Sequence, residues 1–184
     1  MIYFIAIIVS FLIGVAPNSY VINILNYDKS WKVKVVTISV DLLKGMSIVI
    51  LNKYLFNFEF IGIVVSLLLC FISHSLFQGL KLKLRNGHFI LLAGLSLFLP
   101  IIVILWGLIW LISFAYKRNR DFSLLASSIL TGLVSITSSD VLNNAYWYSN
   151  PLAISNVEFS ILVGLIFSTL FATQIYNFRT YYLK

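Results

Sequence analysis

FISHSLFQGLKLKLRNGHFI, residues 71–90, contains the end of one apolar run, a short loop with Lys81, Lys83 and Arg85, and the start of a second apolar run. His74 lies just inside the first run, where a buried polar side chain needs a partner or a function. Both runs are continuous and do not alternate, which argues for membrane helices and against a transmembrane β-barrel. The whole chain agrees: 60% of its 184 residues are apolar and 10% charged, with mean hydropathy +0.99. Soluble domains carry roughly 25% charged residues, so the composition reads as an all-α, polytopic transmembrane bundle. The length suits one domain, residues 1–184. Cys70, the single cysteine, excludes an intramolecular disulfide and reads as a small buried filler. Residues 1–12 have no basic segment ahead of their apolar stretch, so no cleaved signal peptide is expected.

Working outward, the first span is residues 3–25, interrupted by Gly14, Pro17, Asn18 and Ser19. A loop with Lys29, Lys32 and Lys34 leads to a second span, 35–51, holding Asp41 and Lys44. The third span is 60–80. Residues 89–114 are apolar throughout but contain Pro100. KRNRD, 117–121, precedes a span at 122–137, and 159–178 is the last. If 89–114 turns back near Pro100, all three basic loops and the basic carboxyl-terminal tail share one side. The positive-inside rule favours that arrangement. It predicts about seven membrane segments, amino terminus outside and carboxyl terminus cytoplasmic. Two segments would then be only some twelve to fifteen residues, tolerable where they pack inside the bundle.

This topology gathers polar residues in the cytoplasmic half: Asn18, Ser19 and Asn23; Asp41 and Lys44, three apart on one helical face; His74; Ser123, Ser127 and Ser128; Asn177 and Arg179. The outer half has nothing equivalent. Ionisable groups inside a membrane are costly and default to functional hypotheses. Each also has a plain alternative. Asp41 and Lys44 can be a mutually neutralising structural pair. His74 can be a partly solvated interfacial histidine, or a general base or a donor to a phosphate oxygen. The basic loops can report topology and attraction to anionic headgroups, and the serines can bond backbone. Tyr146, Trp147 and Tyr148 suit an outer interfacial belt. Two histidines and one cysteine at these spacings form no metal ligand set. There is no nucleotide-binding loop and no nucleophile elbow. No cofactor and no nucleic-acid partner is expected. What remains is a cytoplasm-facing pocket for an anionic headgroup with an apolar tail.

In order, these features resemble the acyl-phosphate-dependent glycerol-3-phosphate acyltransferases, small seven-helix enzymes of bacterial plasma membranes. GVAPNSY, 14–20, is similar to their first-helix G-S-I-P-[TS]-[AG]-Y pattern, and VDLLKG, 40–45, to their L-D-x-x-K-G. SHSLFQGLKLKLRNG keeps His74, Lys83 and Gly87 of G-H-x-F-P-V-F-L-x-F-K-G-G-K-G. RDFSLLASS gives Arg120 and Ser123 of the basic residue and S-L-x-S that open their sixth helix; the second serine is Ala126 in register or Ser127 if shifted. The resemblance covers about residues 11–129, and its strength is the ordered set.

The resemblance implies acyl transfer from an acyl phosphate to a phosphorylated or otherwise anionic acceptor at the membrane. Lys83 and Arg85, with Gly87 and Arg120, would hold phosphate, Ser123 would orient it and His74 would assist the hydroxyl. Asp41 and Lys44, with Asn18, would brace the helices. The departures are specific. The family's S-G-N-x-G-A-x-N segment has no counterpart, because 26–34 is too short for it. In its glycine-rich loop, Leu84 and Arg85 replace two glycines and Asn86 a lysine. Glycines there let backbone N–H groups approach phosphate. The H-x-x-N-I-x-R-L pattern is reduced to Asn177 and Arg179. Two expectations follow: a divergent acyltransferase, or a catalytically silent relative that binds membrane lipid or serves as a subunit beside another membrane protein.

Overall fold

The computed structural model describes residues 2–16, 18, 31–82, 87–144 and 154–182, and among them every regular element is helical. The chain divides into two compact units, Met1–Leu97 and Phe98–Lys184. The first contains α1 (Ile2–Val15), α2 (Trp31–Ile50), α3 (Phe60–Leu82) and α4 (His88–Phe98). The second contains α5 (Pro100–Lys117), α6 (Arg120–Thr137), the short α7 (Ser139–Asn144) and α8 (Asn156–Tyr182). Phe60–Phe77, Pro100–Lys117 and Asn156–Ile175 are long and apolar enough to cross a membrane.

Helix ends follow local chemistry. The last helical bond of α1 runs from Ala16 N–H to Leu12 O at 3.0 Å. Helix α1 thus covers the first part of the expected span 3–25, of which residues 17 and 19–25 lie outside the described residues. The expected break near Pro100 is present. Helix geometry is lost at Leu99 (φ −135°, ψ 60°), and Pro100 starts α5 in the first-turn position where its missing N–H costs nothing. The lengths on either side differ from expectation, because α5 continues past Phe114 to Lys117. Helix α4 has 11 residues and is mostly buried, whereas α5 has 18, enough to span. The turn into α6 uses Arg118 in the left-handed region (φ 48°) and Asn119 as cap. The Asn119 Oδ1 accepts from Asp121 and Phe122 N–H at 3.0 and 3.1 Å. Helix α8 opens on a reciprocal capping box. Ser155 N–H donates to Glu158 Oε2 at 2.8 Å and Glu158 N–H to Ser155 Oγ at 3.2 Å.

In the first unit, glycines set how closely helices approach. A Cβ on Gly14 would overlap Ser73 Oγ and the Cys70 carbonyl oxygen, so α1 lies directly on the α3 backbone. Ser73 Oγ donates across to Phe11 O at 3.2 Å. A Cβ on Gly45 would overlap the Ile90 carbonyl, which brings α2 onto α4. Leu67, Phe71, Ile90, Leu91 and Leu95 fill the space between, all fully or nearly fully buried. Cys70 is buried and free, as expected.

Helix α2 continues into a π-helical turn, Leu51–Leu55, closed by Phe56 N–H on Leu51 O at 3.2 Å. Buried Asn52 sits in that turn. Its Nδ2 donates to Ile48 O at 2.7 Å, and its Oδ1 accepts from Ser66 Oγ at 3.2 Å. Polar groups are therefore buried at this end of the unit too, just past the expected second span 35–51. The reason is local: one extra residue in the turn redirects Asn52 inward, where Ser66 satisfies it. Asn57 at φ 50° then reverses the chain into α3.

In the second unit, α6 packs between α5 and α8. Gly132 accepts the Phe167 side chain, whose Cβ lies 3.0 Å from where a glycine Cβ would stand. Ser128 Oγ bonds Gln174 Oε1 at 3.0 Å, and Asn143 Nδ2 ties α7 to Ile154 O and Asn156 Oδ1 at 3.1 and 2.9 Å.

These contacts separate two glycines of equal rank in sequence. Gly14→Val should lower stability by about 1–3 kcal/mol through overpacking. Gly107, with nothing within 4 Å of a built Cβ, should accept Ala neutrally or gain up to ~1 kcal/mol in helix propensity. Unfolding of the detergent-purified variants by graded SDS measures both.

Candidate functional site

The polar cluster of the first unit starts from the end of α1. A helix ending inside a bundle leaves carbonyls without partners, here including Gly14 O and Ala16 O. Lys44, one turn along α2 from Asp41, supplies the missing donors. Its Nζ donates to Ala16 O at 2.5 Å and approaches Gly14 O at 3.5 Å. The ammonium also faces the negative end of the α1 dipole. Its third direction is taken by His74 Nδ1, at 3.4 Å.

Asp41 is fully buried. Its Oδ1 accepts from Asn18 Nδ2 at 2.7 Å and lies 3.6 Å from His74 Nε2. Oδ2 makes no hydrogen bond among the described residues. Asp41 and Lys44 share a helical face as expected, but they do not form a direct ion pair. The Asp41 carboxylate instead lies beside the His74 ring, with Oδ1 3.6 Å from Nε2. The spacing of three residues allows Asp41 and Lys44 to meet, but the end of α1 and Asn18 beyond it offer better partners across the interface. Carbonyls draw the ammonium and the Asn18 amide draws the carboxylate.

The tautomer of His74 follows from its neighbours. An ammonium can only donate, so Nδ1 is the acceptor and Nε2 carries the hydrogen, directed toward Asp41. The imidazole lone pair is therefore occupied by Lys44, and the group has an N–H to offer but no free base. Gly87 lies over that ring edge. A Cβ there would stand 3.1 Å from His74 Cδ2 and 3.5 Å from Nε2. Any side chain at 87 would cover the donor.

Of the residues singled out in sequence, the fold brings together Asn18, Asp41, Lys44, His74 and Gly87. Lys83 and Arg85 lie outside the described residues, as do Ser19, Asn23, Tyr146, Trp147 and Tyr148 and the side chains of Asn177 and Arg179. Arg120 and Ser123 belong to the second unit. Arg120 is exposed in the first turn of α6, and Ser123 is buried with its Oγ donating to Asn119 O at 2.7 Å. Ser127 Oγ likewise bonds Leu124 O at 3.0 Å. The hydroxyl protons of both serines are thus spent on backbone, leaving oxygen lone pairs. Sequence reading passed over Asn52, Ser66 and Gln174. The signal available was a lone amide or hydroxyl within an apolar run.

Among the described residues no group of His, Cys, Asp and Glu has the makings of a metal site. No family model, curated protein or solved structure matches the chain.

Removing Lys44 strips three acceptors of their donor and leaves a buried carboxylate without a nearby positive charge. Lys44→Met should cost on the order of 3 kcal/mol. The double variant Asp41→Asn/Lys44→Met should lose less than the two single losses added together, as a double-mutant cycle in graded SDS will show.

Proposed function

We propose that the chain is a multi-pass protein of a bacterial plasma membrane and a divergent acyltransferase of glycerophospholipid synthesis, using an acyl phosphate and glycerol 3-phosphate or a related anionic acceptor. One observation carries this reading. Five motif residues from four separated stretches, Asn18, Asp41 with Lys44, His74 and Gly87, converge within hydrogen-bonding or van der Waals reach. In the reaction the acceptor hydroxyl oxygen bonds to the acyl carbonyl carbon, the carbon–oxygen bond to phosphate breaks, and the hydroxyl proton leaves with the phosphate. Nothing here needs a strong base, because phosphate is a good leaving group and takes the proton itself. His74 Nε2–H suits a donor role toward a phosphate or developing oxyanion. Lys83 and Arg85, four and two residues before Gly87 in sequence, are the phosphate-binding charges of this reading.

The second reading is a catalytically silent relative that binds lipid or braces another membrane protein. It is favoured by the near-complete internal satisfaction of the cluster, in which the Lys44 and Asn18 donors are already spent within the protein. Purified protein given palmitoyl phosphate and glycerol 3-phosphate should release phosphate only when the acceptor is present. His74→Ala should lower that rate by about 10²-fold, with His74→Gln, which keeps an N–H donor, falling between. Absence of acceptor-dependent release beside an active acyltransferase of this type sinks the enzyme reading in favour of the silent one.

The same proposal includes seven membrane segments, α1 to α6 and α8, with the amino terminus outside and the carboxyl terminus cytoplasmic. In a Cys70→Ala background, Asn57→Cys should be labelled by an impermeant maleimide from outside and Arg118→Cys only after the membrane is opened. Labelling of both from one side excludes this topology.

A further inference from the structure

The first unit has a second feature, at the far end of α2 from the polar cluster and independent of the acyltransferase reading. A cleft of about 330 Å³ opens between α1 and the start of α3. Its walls are Tyr3 and Ile7 from α1 and Phe58, Val65 and Ser66 from the α3 side, with Glu59 at one end. Glu59 is exposed and immediately precedes the membrane-length stretch Phe60–Phe77. The carboxylate thus marks the aqueous edge, and the apolar walls run from it over the first two turns of the span. Polar at the edge and apolar in depth is the geometry of a lipid.

The mouth also selects charge. The Tyr3 and Phe58 rings stack at 4.6 Å and 20°, and Phe56 leans on Phe58 at 5.8 Å and 39°. Aromatic rings beside a carboxylate form the arrangement that receives alkylammonium groups, through the ring quadrupole and direct charge attraction. The same group of side chains disfavours a headgroup of net negative charge, in which no ammonium balances the phosphate. The volume lies at the lower end for small-molecule pockets and suits one chain. At the floor, Ser66 is already bonded to Asn52 of the π-helical turn, so the depth of the cleft presents hydrocarbon.

We infer that this cleft binds a membrane lipid with an ammonium headgroup, seating one acyl chain against Ile7 and Val65 and its headgroup at Glu59 and the Tyr3–Phe58 stack. The full chain in phosphatidylglycerol nanodiscs would be exposed to photoactivatable lysophosphatidylcholine or to lysophosphatidylglycerol with the same labelled chain. Crosslinks would be mapped by mass spectrometry. The choline-headed probe should label residues 58–66 about fivefold more than the glycerol-headed one, the scale of a single partly exposed charge contact. Glu59→Gln should bring the two probes to parity. Val65→Trp, at a position exposed enough to accept it, should reduce labelling by both, and Ile7→Trp is its counterpart on the other wall. Equal labelling of the unaltered protein, a preference that survives Glu59→Gln, or labelling that survives both Trp variants overturns the inference and leaves the cleft filled by bulk lipid without selection.

Discussion

A single ammonium group in an apolar interior sets the terms for the first unit. Helix α1 ends at Val15, and the carbonyls of Gly14 and Ala16, at and just past its last turn, face the Lys44 ammonium. Lys44 Nζ donates to Ala16 O at 2.5 Å. A buried cation then requires a counter-charge, which Asp41 brings from the same helix, and a buried carboxylate requires a donor, which Asn18 supplies. Each polar group in the cluster answers a need created by the one before it. The helices are held in register by this closed chain of requirements as well as by apolar packing.

The glycines make such short distances possible. A side chain at Gly14 would push α1 off α3 and lengthen every contact from Lys44 to the α1 carbonyls. Gly45 does the same for α2 on α4 and thereby fixes where Gly87, just ahead of α4, meets His74. Close backbone approach is thus the physical link between packing and chemistry here. It orients the imidazole so that its lone pair faces Lys44 and its N–H is what remains. That orientation favours chemistry that stabilises an oxygen anion over chemistry that removes a proton.

The all-helical class, the break at Pro100 and the positions of most helix ends were legible in the chain because they depend on neighbours in sequence. Proline removes a donor wherever it stands, Asn119 caps the helix it precedes, and continuous apolar runs bury backbone as helix. The importance of His74, Asp41 and Lys44 was legible for the same reason, since a charge in an apolar run stands out. Their partnership was not. Spacing along α2 brings Asp41 and Lys44 to one face, but Asn18 claims the first and the end of α1 the second, and only the packed arrangement decides between a local pair and two long-range ones. Asn52 in its π-helical turn and Ser66 fourteen residues away were invisible as a pair.

By itself, then, the sequence determined which segments are helical, where they stop and which polar residues are too costly to be incidental, because propensity, proline geometry and burial cost are local or additive. Only the tertiary structure decided which atoms meet: that Lys44 caps α1, that His74 Nδ1 faces Lys44, that Gly87 packs against the His74 ring, and that Glu59 stands at the mouth of an apolar cleft. Those outcomes rest on the competition among partners from different helices at distances of a few ångströms, and that competition is resolved by packing.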